Sequence, residues 1–385
     1  MGFEFFSPPR IVFGRGAVTR LPDLVRPLGN KALIIFNGSA QPDVVRLLIS
    51  GGVGCVSMRQ RGEPTVDDVE QAVELARREG CDVLVGLGGG SAIDAAKAAA
   101  GILGNGGAAL DYMEVIGKSQ PITKSALPWV AVPTTAGTGA EVTRNAVLGD
   151  PARKFKASLR SELLLPRVAL VDPELGVNVP PAVTASSGMD ALCQLIESYT
   201  SLNAQPMTDA LAMKGIGLAA RSLRRAVENG SDLDAREDIA LAALLSGITL
   251  TNAGLGAVHG FAAPLGANFP VPHGTVCAAL LPHVMAANVA ALRTQSPEHP
   301  VLGRYADIGV ALCHGRTLTE PATEAAIHAI STLVTDLHIP RLREFGLTQA
   351  RVPEMVGLAR RSSSMRYNPI VLSDQALSDV LTAAI

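Results

Sequence analysis

VLVGLGGGSAIDAAKAAA, residues 83–100, joins an apolar run to a glycine triplet and then to an alanine-rich periodic stretch. A short run that is apolar at nearly every position suits a strand buried on both faces, the mark of a parallel sheet covered by helices. Gly88, Gly89 and Gly90 would let the backbone come close to a ligand. The helix that follows would offer unpaired N–H groups and a positive dipole to a phosphate. Ser91 and Asp94 have capping-box spacing, with Ser at the N-cap and an acid three residues on. The pattern is not the GxGxxG fingerprint, so it points to a bound diphosphate without naming a dinucleotide. A tight, capped turn with no ligand would read the same way.

Similar grammar extends on both sides. KALIIFN (31–37), GVGCVSM (52–58), WVAVPTT (129–135) and RVALVDP (167–173) read as further strands buried on both faces, with helical stretches such as VDDVEQAVELARREG between them. Strand–helix alternation predicts an α/β domain built on a parallel sheet over residues 1–175. In PTTAGTGAEVT (133–143), Thr134, Thr135 and Thr138 could line a nicotinamide and ribose pocket or form a plain Gly/Thr loop. Lys156 could supply charge to a cofactor or lie solvated on the surface. After Asp172–Pro173 the pattern changes. Helical periodicity runs through 182–201, 206–228, 235–252, 274–292 and 319–336 and ends in SDQALSDVLTAAI, predicting an all-helical domain over 176–385.

That second region carries the metal-ligand types. Asp190 and Gln194 stand four apart in GMDALCQLIESYTS, on one face of a helix, and His259 and His273 bracket HGFAAPLGANFPVPH. Asp190, His259 and His273 make a two-histidine, one-carboxylate set that suits Fe(II) or catalytic Zn(II) with a position left for substrate. Gln194 can add only a weak amide oxygen. His283, His299, His314, His328 and His338 lack such context. The five cysteines, Cys55, Cys81, Cys193, Cys277 and Cys313, are odd in number and have no CxxC spacing. They read as reduced packing residues of a cytoplasmic protein, including Cys193 and Cys277 beside the ligand candidates.

At 385 residues and a net charge of −2, the chain can bury two substantial cores and gives no reason to expect nucleic acid or an anionic membrane as a partner. The start, MGFEFFSPPRIVFG, lacks the basic and apolar regions of a signal peptide. No uninterrupted apolar run approaches the ~20 residues of a spanning helix.

Taken together, FGRGAVTRLPDL, GGGSAIDAAK, PTTAGTGAEVT, LLPRVALVDPEL, GMDAL with IESYTS, GAVHGFAAPLG, VPHGTVCAALLPHVM and the Asn-Pro at 368–369 resemble the iron-containing (group III) alcohol dehydrogenase family along nearly the whole chain. The resemblance implies a dehydroquinate synthase-like architecture: a dinucleotide-binding α/β domain followed by a helical domain that holds a metal. It implies that Gly88, Gly89, Gly90 and Ser91, with Asp94 in the same motif, grip the diphosphate of NAD or NADP. Thr134, Thr135 and Thr138 would meet the nicotinamide half, with Lys156 nearby. Asn37 stands where many members carry an aspartate on the adenosine ribose, and an Asn there would not repel a 2′-phosphate.

The family's metal ligands are one Asp and three His. Asp190, His259 and His273 match three of these, and Gln194 replaces the fourth. Ala263 replaces a histidine often found beside the substrate. The implied reaction passes hydride between nicotinamide and a small, neutral alcohol or aldehyde, with Fe(II) or Zn(II) polarising the oxygen and His259, His273 and Gln194 at the reacting centre. A homodimer or higher homo-oligomer is also implied, with FSPPRIVFG a candidate for the contact.

Three alternatives stand beside this reading. A metal-independent carbonyl reductase of the maleylacetate reductase type would use Gln194 as a hydrogen-bond donor and a histidine as acid. A sugar-phosphate cyclase-like lyase needs several basic residues, and LTNAGLGAVHGFAAPLGANFP has none. A nucleotide-binding protein without turnover would bind NAD(P)H and reduce nothing.

Overall fold

A computed structural model describes residues 2–151, 155–313, 318 and 320–385. The chain divides into two compact units, Phe5–Val179 and Pro180–Ile385, the latter taking in the N-terminal residues up to Glu4.

The first unit is α/β. Its strands are β1 (Ile11–Phe13), β2 (Lys31–Phe36), β3 (Gly54–Arg59), β4 (Val83–Gly88), β5 (Trp129–Pro133), β6 (Asn145–Asp150), β7 (Phe155–Arg160) and β8 (Val168–Val171). Its α-helices are α1 (Leu21–Val25), α2 (Gln41–Ser50), α3 (Val66–Glu79), α4 (Gly90–Asn105) and α5 (Ala109–Tyr112). Six strands form one sheet in the order β1-β8-β5-β4-β2-β3, every pairing parallel. Strand periodicity sends alternate residues to opposite cores. Leu33, Ile35 and Leu84 join the core with α3 and α4, whereas Ala32, Ile34, Val83 and Val85 join the core with α1 and α2.

The expectation of strands buried on both faces holds for β2, β4, β5 and β8, and fails for β3. That strand closes one end of the sheet, so its outer side has no neighbour and GCVSMR stays partly exposed. FSPPRIVFG contains the N-terminal strand β1, as expected, but two strands were not expected. β6 and β7 form a separate antiparallel ribbon in register Asn145↔Arg160 to Asp150↔Phe155. Their alternation is too weak to stand out from a loop in sequence.

The second unit is helical. It contains α6 (Pro181–Thr200), α7 (Pro206–Glu228), α8 (Leu233–Ala253), α9 (Ala257–Asn268), α10 (His273–Gln295), α11 (Val301–Leu312), α12 (Ala322–Asp336), α13 (Val352–Ala359) and α14 (Asp374–Ala384), with no strand among the described residues. Helix α6 is the axis of the unit, because Gly188 through Thr200 are all buried. Helix α9 escaped the periodicity reading because Pro264 interrupts it and it is apolar nearly all round. Helix α10 is the one helix long and apolar enough to cross a membrane among the described residues, yet 72% of its most apolar window is buried inside the protein. It is a core helix by packing, not by length.

Candidate active site

In the α/β unit, Asn37, Gly88, Gly89, Gly90, Ser91, Thr134, Thr135 and Thr138 lie at or just beyond the carboxyl ends of β2, β4 and β5, the ligand edge of a parallel sheet, whereas Asp94 and Lys156 are engaged elsewhere. Gly88 has φ +145°, a conformation that L side chains rarely adopt. A Cβ there would run into the Asn37 side-chain amide. Asn37 Oδ1 accepts a 2.8 Å hydrogen bond from the Gly89 N–H, fastening the end of β2 to the glycine turn. Ideal Cβ positions on Gly89 and Gly90 lie 3.1 Å from Thr135 Oγ1 and 2.8 Å from Thr138 Oγ1. The Thr134 N–H donates to the Gly88 carbonyl at 2.9 Å. The turn after β4 and the loop after β5 are therefore packed directly on one another.

The capping box is not formed. Gly89 is the N-cap of α4 and no side chain caps it, so Ser91 sits inside the first turn. Asp94 instead accepts from the Val147 N–H of β6 at 3.0 Å and from Lys97 Nζ at 3.2 Å. An uncapped helix start keeps its amide donors for an anion. Lys97, not singled out in sequence, is fully buried and also donates to Thr143 Oγ1 at 2.7 Å and to the Asn145 carbonyl at 2.6 Å. Burial pulls its pKa down despite Asp94. It locks the β6–β7 ribbon onto α4. Lys156 on β7 is in an ion pair with Glu63.

In the helical unit, five polar side chains meet. Asp190 and Gln194 project from one face of α6, His259 from α9, and His273 and Cys277 from one face of α10. The close approach of α10 to α6 needs Gly274, where a Cβ would strike the Ser186 carbonyl. Asp190 Oδ1 lies 3.3 Å from His259 Nε2 and 3.6 Å from His273 Nε2. That oxygen is buried and has no hydrogen-bond partner. A buried carboxylate oxygen without a partner is costly unless something positive meets it. Ligand atoms bound tetrahedrally to one ion at about 2.1 Å stand about 3.4 Å apart, so the observed spacing fits a shared cation.

Gln194 turns away from that role. Its Nε2 donates to Asp190 Oδ2 at 3.3 Å, and its Oε1 accepts from Ser246 Oγ at 2.9 Å. The only ligating atom of Gln194 is thus engaged by Ser246, while its amide nitrogen holds the carboxylate with Oδ1 facing the imidazoles. Cys277, expected as a packing residue, is buried and lies inside the cluster. Its Sγ lies 3.6 Å from His259 Nε2 and 3.7 Å from His273 Nε2. Asp190, His259, His273 and Cys277 place one ligand atom each within 4.8 Å of all the others. Their HxxxC spacing on α10 was the signal in the sequence, masked because the partner residues lie on other helices.

Glu197 is a further residue that sequence reasoning missed. It lies seven residues after Asp190 on the same face of α6. Its Oε2 is 2.7 Å from His259 Nδ1, and its Oε1 accepts from the Val258 N–H at 2.7 Å. This fixes Nδ1 as the protonated nitrogen and leaves Nε2 free for the cluster. Glu197→Gln is expected to weaken metal affinity about 10–100-fold. Chelator competition would check this, and an unchanged affinity would remove the role. Asn368, from the Asn-Pro pair, accepts from the Ala257 N–H at 3.1 Å and so holds the start of α9.

Electrostatics differ across the cluster. Burial works against protonation of His273, but Cys277 and Asp190 outweigh it and push its pKa up to about 9. His273 therefore holds a proton at neutral pH that a cation must displace. Metal affinity is therefore expected to fall as pH drops below about 9. Titrations of metal uptake from pH 9 to neutral check this, and a flat profile would contradict it. His273 is 40% exposed where His259 is only 7% exposed, so His273 marks the side that solvent reaches. Ala263 is exposed one turn beyond His259. The remaining histidines stay outside the cluster: His299 accepts from the Val301 N–H, His328 pairs with Glu320, and His314 lies outside the described residues.

The sequence profile described as iron-containing alcohol dehydrogenase matches residues 8–173, and that of the Fe-containing alcohol dehydrogenase family, C-terminal, matches 184–385. The chain belongs to the iron-containing alcohol dehydrogenase family. Among its relatives in that family, the NAD-dependent methanol dehydrogenase of Bacillus methanolicus is 34% identical, over 99% of this chain and 100% of the relative. A crystal structure of 1,3-propanediol oxidoreductase superposes with TM-score 0.92 at 35% identity, covering all of both chains. A sulfoacetaldehyde reductase from Bifidobacterium kashiwanohense, solved with NAD+, gives TM-score 0.87 at 28% identity over 100% of this chain and 99% of that one. This family member therefore has the two-part architecture of iron-containing alcohol dehydrogenases and is an oxidoreductase acting on CH–OH groups.

Proposed function

We propose that this chain is a metal-assisted alcohol dehydrogenase and aldehyde reductase, passing hydride between a nicotinamide and a small alcohol or aldehyde. The observation that carries the metal is Asp190 Oδ1, buried without a partner between two imidazole nitrogens. When bound, a divalent cation would supply Lewis-acid polarisation of the substrate oxygen, and NAD(P) the hydride or its acceptor. Asp190, His259 and His273 would hold the cation. Glu197 would keep the His259 Nε2 lone pair aimed inward, and Gln194 would orient the Asp190 carboxylate. His273, the exposed member, borders the side from which a substrate would arrive. Ala263 carries no titratable group, so it cannot take the reaction's proton; water or a hydroxyl of the bound coenzyme would do so.

The glycine turn and the uncapped start of α4 suit the coenzyme diphosphate. Thr135 and Thr138, packed on that turn, suit the nicotinamide half. Lys156, paired with Glu63, would reach a coenzyme only by leaving that partner. Asn37 is uncharged at the end of β2, which would admit NADP as well as NAD. Asn37→Asp keeps an acceptor for the Gly89 N–H and adds charge. It is expected to lower NADPH use relative to NADH roughly tenfold or more, for ~1–2 kcal/mol of repulsion with a 2′-phosphate. The ratio of kcat/KM for the two coenzymes reads this directly, and an unmoved ratio would exclude Asn37 from the ribose site.

The metal-independent alternative asks the Gln194 amide to donate to a carbonyl. One of its two N–H groups is directed at Asp190, leaving a single donor for that role. We further propose a cytoplasmic homo-oligomer associating at the open edge beside Ile11–Phe13, which sedimentation would test. The overall reading is tested by NADH and NADPH oxidation with chelator-stripped protein over a panel of aldehydes and oxo acids. Anaerobic Fe(II) or Zn(II) should restore activity. Equal activity without metal would overturn the metal-assisted reaction.

A further inference from the structure

We infer that Cys277 is the fourth protein ligand of the metal in the helical unit, binding as thiolate, while Gln194 serves as a positioning residue. The inference rests on the reading that this unit holds a cation, and adds which atoms hold it. Zn–S bonds of about 2.3 Å and Zn–N bonds of about 2.05 Å put sulfur and nitrogen about 3.6 Å apart in a tetrahedron. The Cys277 Sγ distances to His259 Nε2 and His273 Nε2 are 3.6 and 3.7 Å.

Four further observations agree. Asp190 Oδ1 is aimed into the same cluster, buried and without a hydrogen-bond partner. Cys277 is fully buried, and its sulfur faces the two imidazoles. It lies one helical turn after His273, so α10 presents both side chains on one face. Gln194, the other candidate for the fourth place, has its oxygen occupied by Ser246. On metal binding the Cys277 S–H bond breaks, its proton leaves to solvent and the sulfur lone pair forms the new bond, with no change in oxidation state. A soft thiolate beside two imidazoles and one carboxylate favours zinc over Fe(II), and the substrate oxygen would then enter as a fifth ligand, an expansion that zinc allows.

Cobalt(II) is the probe, because thiolate bound to it gives an intense near-ultraviolet charge-transfer band that oxygen and nitrogen ligands do not. Full-length protein stripped with chelator and loaded with Co(II) should show this band. Cys193→Ser, which changes the neighbouring buried thiol, should keep it. Cys277→Ser should lose it, and should bind zinc at least ~100-fold more weakly by chelator competition. Circular dichroism would confirm that the variant folds. Cobalt bound at one ion per chain without the band, or a band that survives Cys277→Ser, would overturn the thiolate ligand and leave the metal reading standing. Wild-type protein that binds neither Co(II) nor Zn(II) would overturn both.

Discussion

Asp190→Asn is expected to lower kcat/KM for aldehyde reduction by about 10³-fold or more and to abolish stoichiometric metal binding. The substitution changes no volume, and an amide at this place can still meet Gln194 and both imidazoles. What it removes is the negative charge. In the native cluster, burial tends to raise the Asp190 pKa, yet His273 and His259 beside it outweigh that and hold it below the ordinary carboxylate value. The group is therefore ionised, and its Oδ1 is available to a cation. A neutral amide oxygen in a site lined with apolar helix faces offers a divalent ion far less than a carboxylate does. Metal content and steady-state kinetics with added Zn(II) or Fe(II) check the expectation. NADH binding, followed by fluorescence, should be unchanged, because the glycine turn belongs to the other compact unit. Full activity with full metal content in the variant would remove Asp190 from the chemistry.

Gly88→Ala is the second large effect, and it should leave metal binding intact. The φ of +145° belongs to a region that costs of order 1–3 kcal/mol for a residue with a side chain. The added methyl also meets the Asn37 amide, which must move and give up its 2.8 Å bond to the Gly89 N–H, for roughly 1 kcal/mol more. Displacing that turn shifts the amides at the start of α4 from the positions where a diphosphate would accept from them. Coenzyme affinity is expected to fall at least about tenfold, for ~1.4 kcal/mol, together with a lower Tm. Calorimetric titration with NADH separates the two outcomes. A variant that binds NADH normally would show that the turn is a strand-to-helix connection and nothing more.

Much of the architecture was legible in local sequence. Buried strands read as continuous apolar runs, and KALIIF, VLVGLG and WVAVP are buried because they lie inside the sheet. GCVSMR reads much like them but closes one end, and strand order is not written in a strand's own residues. Most long helices of the second unit fall where periodicity places them. Helix α9 did not show, because a proline and an apolar character all round leave no stripe to detect.

Asp190, His259 and His273 could be named as ligand candidates from residue type, and Gln194 as the odd member, from the sequence alone. The chain's motifs also determined its family, because their order along nearly 400 residues constrains far more than any single site. Three points were decided only in three dimensions. Asn37 is fastened to the glycine turn, Glu197 sets the tautomer of His259, and Cys277 faces both imidazoles. Each depends on a contact between residues 18 to 62 positions apart: Asn37 with Gly89, Glu197 with His259, and Cys277 with His259. Local pattern largely fixes what a segment becomes, because a helix closes its hydrogen bonds within itself and a buried strand is marked by its own apolar run. Which side chains share a cluster depends on how α6, α9 and α10 approach one another. That approach is set by packing at positions such as Gly274, which carry no chemistry of their own.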